Sequence, residues 1–166
     1  FFSYIWDTIL NAFAGDNLFL LTVPYYFLYA ISLYFYARYK FKDNYVALFC
    51  ALTGVFATGI IQLIIVGHHT KMMTFAFFPL ILLLIDKLID TEFKNKFRLL
   101  IYFALLSIII YIQLHFHHVQ MLFYSYLMIG LYFIYTLIYK FVKKEGYIHI
   151  VKALSIFIVA GVFALA

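Results

Sequence analysis

The sequence has 166 residues, of which 67% are hydrophobic and 23% aromatic, while only 11% are charged. Soluble domains are nearer half apolar and a quarter charged, so this composition excludes a single water-bounded core as the place where the apolar side chains are buried. The net charge of +5 does not predict nucleic-acid binding, because the basic residues stand at the ends of apolar runs. The composition predicts a protein surrounded by membrane lipids.

Residues 1–17 form the first predicted element. Apolar residues recur there at helical spacing, at Phe1, Phe2, Ile5, Trp6, Ile9, Leu10 and Phe13. Polar Ser3, Asp7 and Asn11 share the opposite face, which predicts an amphipathic helix and loop at the outer membrane surface. The chain begins with Phe1 and ends within an apolar run, so we expect it to be part of a longer membrane protein.

Residues 18–166 are predicted to form one transmembrane domain. A helix needs about 20 mostly apolar residues to cross a bilayer. Six windows meet this need, at 18–38, 45–66, 72–90, 98–114, 119–139 and 148–166. These runs are apolar on every side and lack the alternation of barrel strands, which favours an all-α polytopic bundle of about six spans.

The basic residues predict the orientation of the bundle. Eleven of them fall in alternate turns, at Arg38, Lys40, Lys42, Lys87, Lys94, Lys96, Arg98, Lys140, Lys143, Lys144 and Lys152. The positive-inside rule assigns these turns to the cytoplasm. The segments "GHHTK" and "HFHHVQ" are then expected on the opposite face.

These two segments hold five of the six histidines. The first contributes His68, His69 and Lys71, and the second contributes His115, His117, His118 and Gln120. If one helix continued through the second segment, Gln113, His117 and Gln120 would share one face. Each histidine taken alone could simply reach into the headgroup region. Their grouping on one side of the membrane instead indicates a site, because polar groups at this depth tend to face a cavity or a partner.

Three functions remain open on the residues alone. Lysine and imidazole could hold the phosphate of a lipid-linked substrate and stabilise its charge as it departs. The histidines could instead bind a divalent metal ion or haem iron, although their spacing matches no zinc signature. The third alternative is a transporter or lipid flippase, which buried ionisable residues would favour.

The carboxylates offer no evident catalytic base. Asp16 lies in "AGDN", which is typical of a turn. Five others accompany the basic turns and are interpreted as charge-balancing residues at the membrane surface, namely Asp43, Asp86, Asp90, Glu92 and Glu145. His149, beside Lys152, is likewise interpreted as a surface residue on the cytoplasmic side.

Two motifs resemble the YfhO family of bacterial membrane proteins. "GHHTKMMTFAFFPLILLLI" resembles its Gly-His-x-x-Lys segment and the apolar, proline-containing helix that follows, with matches at Gly67, His68, Lys71 and Pro79. "QLHFHHVQMLFYSYLMIGLYF" is similar to a later Asn-His-Pro-Gln type motif and its aromatic-rich helix. The matches there are His118, Gln120 and Tyr124, whereas His117 and Val119 replace the asparagine and the proline.

The resemblance implies a protein of the GT-C glycosyltransferase class. Such a protein would transfer sugar from a polyprenyl-phosphate donor at the extracytoplasmic face of the bacterial cytoplasmic membrane. By this resemblance His68 and Lys71 would bind the donor phosphate, and the cavity wall would be formed by His69, His117, His118 and Gln120. The acidic catalytic residue of the class is expected in a loop upstream of residue 1.

Overall fold

The computed structural model describes residues 8, 18–66, 68–115, 118–143 and 146–165. The helices in these ranges are α1 Leu18–Phe41, α2 Asn44–Val55, α3 Thr58–Ile65, α4 His69–Ala76, α5 Phe78–Asp90, α6 Lys96–His115, α7 Val119–Val142 and α8 Ile148–Leu165. No strand occurs in the described part of the chain, so the predicted all-α class is confirmed. Apart from Thr8, the predicted interfacial helix at 1–17 lies outside the described residues.

Helices α1 and α2 form a tight helical hairpin. Lys42 adopts a left-handed conformation (φ 57°), and its N–H donates to the Arg38 carbonyl at 3.0 Å, which ends α1. The Asp43 carboxylate then accepts hydrogen bonds from the backbone N–H groups of Tyr45 and Val46 and caps α2. Lys42 and Asp43 therefore reverse the direction of the chain, because hydrogen bonds end α1 at the first and begin α2 at the second.

The second predicted window is divided into two helices. The prediction of one helix over 45–66 was wrong, because α2 ends at Val55 and α3 begins at Thr58. The Phe56 N–H bonds to the carbonyls of Leu52 and Gly54 and closes the last turn of α2. The surrounding "TGVFATG" is rich in glycine and threonine. These residues form helices weakly, so interrupting the helix there costs little free energy.

The third predicted window is a helix with a bend at Phe77. Helices α4 and α5 meet there, and Pro79 lies in the first turn of α5. Proline has no N–H to donate to the preceding turn, so it interrupts the ladder of helical hydrogen bonds at this point. The chain nevertheless continues as one 21-residue apolar segment from Thr70 to Asp90.

Four helices in the described part of the chain are long and apolar enough to cross a membrane. They are Thr70–Asp90, Lys96–His115, Val119–Val142 and Ile148–Leu165. These helices indicate a membrane protein. The helix α1 has 24 residues but is not one of the four. The expected number of six spans therefore stays a prediction.

Two apolar clusters hold the bundle together. The larger joins α5 to α6, α7 and α8 through buried side chains that include Ile85, Leu106, Ile129 and Ile150. The smaller joins α1 to α4 through Tyr25, Tyr26, Tyr29, Met72, Met73 and Ala76. Because α4 and α5 are consecutive, this segment belongs to both clusters and connects the two halves of the fold.

Contacts between helix ends bring the predicted basic turns together. The Tyr39 hydroxyl of α1 donates to the Asp90 carboxylate at the end of α5 over 2.6 Å. The Lys152 ammonium near the start of α8 donates to the carbonyl of Thr91, which directly follows α5. We call this region, from the turns after α1 and α5 to the start of α8, the basic end. The opposite region, at the start of α4 and between α6 and α7, is called the histidine end.

Candidate functional site

The first histidine segment lies between α3 and α4. His68 occupies the position before α4, and its carbonyl accepts the N–H groups of Lys71 and Met72, which starts that helix. Its own N–H donates to the Leu63 carbonyl at 2.8 Å and ties the segment to α3. The backbone of His68 is thus fixed, while its imidazole is exposed and does not cap the helix.

Lys71 lies in the first turn of α4 with a half-buried side chain. Its ammonium forms no ion pair or hydrogen bond with any residue that the structure describes. The neighbouring Met72 and Thr74 are buried in the bundle. A cation in this position is anchored by a helix yet keeps its hydrogen-bonding capacity for an anion.

The second histidine segment lies between α6 and α7. The His118 Nδ1 accepts a hydrogen bond from the Met121 N–H at 3.3 Å and caps α7. A cap begins a new helix, so α6 does not continue through the segment. The condition under which Gln113, His117 and Gln120 would share one helical face is therefore not met. Gln120 is exposed on α7, and its amide lies 3.4 Å from the Tyr124 hydroxyl.

A buried glutamine connects the two segments. The Gln113 amide nitrogen donates to the Thr74 carbonyl at 2.9 Å, and both residues are fully buried. Thr74 is within the last four residues of α4, whose carbonyls lack partners within a helix. Gln113 stands two residues before the end of α6. The hydrogen bond therefore holds the end of α6, and the histidine segment after it, against α4.

The structure brings four of the six predicted site residues to the histidine end. Because Gln113, two residues before the end of α6, is bonded to Thr74 of α4, and α4 also packs against α7, His68 and Lys71 lie at the same end of the bundle as His118 and Gln120. The side chain of His69 and all of His117 lie outside the described residues. The Gln113 Oε1, on the residue that joins α6 to α4, is buried and has no hydrogen-bond partner in the described part of the chain.

The described geometry offers no ligand set for a metal ion. Across residues 18–66, 68–115, 118–143 and 146–165, no three side chains of histidine, cysteine, aspartate or glutamate cluster closely enough to hold one. The polar groups that are described suit an anion better, since they are a cation and imidazoles rather than carboxylates. Divalent metal or haem binding remains an untested alternative.

A charged cluster at the basic end was missed by the sequence analysis. Asp86 is only 5% exposed and lies 2.7 Å from the ammonium of Lys40, and the Tyr132 hydroxyl donates to its other oxygen. The Lys40 ammonium also donates to the Tyr132 hydroxyl at 2.8 Å. Asp86 does balance a basic residue, as interpreted, but the expectation that it lies at the surface was wrong. The sequence carries no signal of this burial, because Asp86 stands beside Lys87 near the end of a helix that also contains Asp90, as a surface residue would.

Lys87, Lys152 and His149 at the basic end are also engaged. The Lys87 ammonium lies 5.8 Å from the ring centre of Tyr39 and 5.7 Å from that of Tyr102, within cation–π range. His149, interpreted as a lone surface residue, lies 3.5 Å from the Lys152 ammonium, which itself is buried. Ring contacts and an ion pair thus engage several charged side chains at this end, whereas Lys71 and the His68 imidazole at the histidine end have no partner among the described residues.

No family model, curated protein or solved structure matches this chain. The resemblance to the YfhO family therefore rests on the two short motifs themselves.

Proposed function

We propose that the histidine end holds the phosphate of a polyprenyl-phosphate-linked sugar, as part of a multi-pass glycosyltransferase of the GT-C type. The protein would lie in the bacterial cytoplasmic membrane with its basic end in the cytoplasm, in accordance with the positive-inside rule. The donor headgroup would then meet the protein at the extracytoplasmic face. The acidic catalytic residue would come from a part of the protein outside these 166 residues.

The observation that carries this proposal is the hydrogen bond between Gln113 and Thr74. It ties the two histidine segments, which are distant in sequence, to one end of the bundle. Preorganised groups stabilise a developing charge best, because they need not reorient when the charge appears. The buried hydrogen bond between Gln113 and Thr74 lies beneath the site and would limit the movement of its groups.

Each predicted residue receives a role in the proposal. Lys71 offers a cation with no competing carboxylate among the described residues, and the exposed imidazole of His68 lies three residues before it. Both suit the phosphate of the donor. His118 and Gln120, at the start of α7, would line the polar wall beside the sugar, together with His69 and His117.

The test is transfer of sugar from a lipid-linked donor by the full-length protein. Lys71→Gln removes the cation and should lower kcat/KM at least tenfold, because one charge-assisted contact to phosphate contributes about 1.5–3 kcal/mol. His118→Asn removes the imidazole but keeps a side-chain acceptor that can cap α7. It should therefore lower activity without loss of folded protein.

Lys94→Gln is the matched control, since it removes an exposed lysine at the basic end. The control should retain full activity. Normal transfer by both Lys71→Gln and His118→Asn would contradict the proposed phosphate site.

A transporter or lipid flippase is the second candidate, and the Lys40–Asp86 pair favours it. Buried ionisable side chains in membrane segments often mark a transport pathway. Under this alternative, neutralising both charges with Lys40→Met and Asp86→Leu would abolish lipid movement in reconstituted vesicles. Under the transferase proposal, the same double variant retains sugar transfer, so the two assays separate the candidates.

A further inference from the structure

An open groove of about 740 Å³ lies at the basic end, between the end of α1 and the end of α5. It is far from the histidine end and takes no part in the proposed transfer. Its lining combines two kinds of surface. Phe35 and Leu83 are apolar, and basic side chains follow each of them toward the helix ends.

Basic residues outnumber acidic residues in the lining of the groove. Arg38, Lys42 and Lys87 line it against a single carboxylate, Asp90, which accepts a hydrogen bond from Tyr39. Lys40 also lines the groove, but its charge is matched by Asp86. Arg38 and Lys42 form no side-chain ion pair with any residue that the structure describes. The groove thus keeps two cations free for an anion.

A neighbouring groove provides an internal comparison. It has a volume of about 520 Å³ and shares the wall formed by Tyr39, Lys87 and Asp90. Its further charges are those of Arg98 and Glu92, so acidic and basic residues are equal in number there. Only the first groove combines excess positive charge with an apolar floor.

We propose that the groove between α1 and α5 binds the headgroup of an anionic phospholipid. The phosphate would lie between Arg38 and Lys42, and Lys87 would contribute from α5. The first carbons of the acyl chains would contact Phe35 and Leu83, which lie one to two turns deeper along their helices. Basic pockets between transmembrane helices on the cytoplasmic side are a recurrent way of holding acidic lipids.

Native mass spectrometry of the intact protein in detergent tests this site, with phosphatidylglycerol and phosphatidylcholine as probes. The protein should retain phosphatidylglycerol in preference to phosphatidylcholine. Each basic side chain near an acidic headgroup contributes about fivefold in affinity. The double variant Arg38→Gln/Lys42→Gln should therefore bind phosphatidylglycerol roughly 25-fold more weakly.

Two further variants keep the test specific. Lys140→Gln/Lys143→Gln removes the same charge at the same end but outside the groove, and it should leave the affinity within about twofold, because screening weakens distant charges. Arg38→Lys/Lys42→Arg keeps the charge and should retain the preference, which separates lipid binding from misfolding. Equal binding of both lipids, or equal losses in the two double glutamine variants, would overturn the proposal.

Discussion

The two ends of this bundle differ in the polar residues they carry and in how those residues are used: most lysines, arginines and carboxylates belong to the basic end, and five of the six histidines to the other. At the basic end, Lys40, Asp86 and Tyr132 join three helices through an ion pair and hydrogen bonds. At the histidine end, one buried hydrogen bond from Gln113 holds the helices, while Lys71 and the His68 imidazole have no described side-chain partners. The Lys40–Asp86–Tyr132 cluster thus stabilises one end, whereas Lys71 and His68 remain available for a ligand at the other.

The largest predicted effect tests the stabilising role of the basic end. Lys40→Met leaves the Asp86 carboxylate buried beside Tyr132 without a cation, and an unpaired buried charge is costly. Because the Lys40 side chain is 38% exposed, we expect a loss of roughly 2 kcal/mol in the free energy of unfolding, below the range for fully buried pairs. Equilibrium unfolding in mixed micelles measures it.

A double variant sharpens this prediction. Lys40→Met/Asp86→Leu removes both charges, so no charge is left buried, and its stability should exceed that of Lys40→Met alone. If the single variant were as stable as the unmodified protein, the basic end would not have the stabilising role described.

The second prediction concerns the bond beneath the histidine end. Gln113→Leu removes the hydrogen bond to the Thr74 carbonyl and should cost about 1 kcal/mol, the usual net contribution of such a bond. It should also reduce sugar transfer, because the two histidine segments lose their connection. Gln120→Leu is the control for stability, because Gln120 is exposed. This variant should unfold at the same denaturant concentration as the unmodified protein. Equal stability losses in both variants would argue against a special role for Gln113.

The third and smallest prediction compares one helix cap from each end. The Asp43 carboxylate accepts two short hydrogen bonds, at 2.7 and 2.9 Å, whereas the His118 Nδ1 accepts one at 3.3 Å. Asp43→Ala should therefore destabilise the protein by about 1 kcal/mol, and His118→Ala by about half as much. Thermal unfolding of the two variants side by side checks the order. A larger loss for His118→Ala would mean that its ring stabilises the fold beyond capping.

The positions and lengths of the apolar windows in the sequence predicted much of the fold correctly. The windows at 98–114, 119–139 and 148–166 correspond to α6, α7 and α8 within three residues at each end. Apolar segments of this length form helices in a membrane, because each backbone N–H and C=O group must find its hydrogen-bond partner within the segment. The break at Phe56 was not predictable in the same way. No proline or charged residue lies near Phe56, and the glycines and threonines around it only weaken the helix without ending it.

The sites were predictable only in part. His68, Lys71, His118 and Gln120 stood out because polar residues are rare in this sequence, and the structure places them at one end. The burial of Asp86 depends on Lys40, 46 residues earlier, and on Tyr132, 46 residues later. A charged residue near a helix end looks like a surface residue until those partners are known. Tertiary contacts of this kind leave no local pattern in a single sequence.

In the proposed topology, both histidine segments emerge on one side of the membrane and the basic turns on the other. Thiol labelling of intact cells with a membrane-impermeant reagent tests it most directly, in a Cys50→Ser background with single cysteines at exposed positions. Val66→Cys and Val119→Cys should both react in intact cells. Lys94→Cys and Gly146→Cys should react only after the membrane is opened. Labelling of Val66→Cys and Val119→Cys from opposite sides would contradict the account.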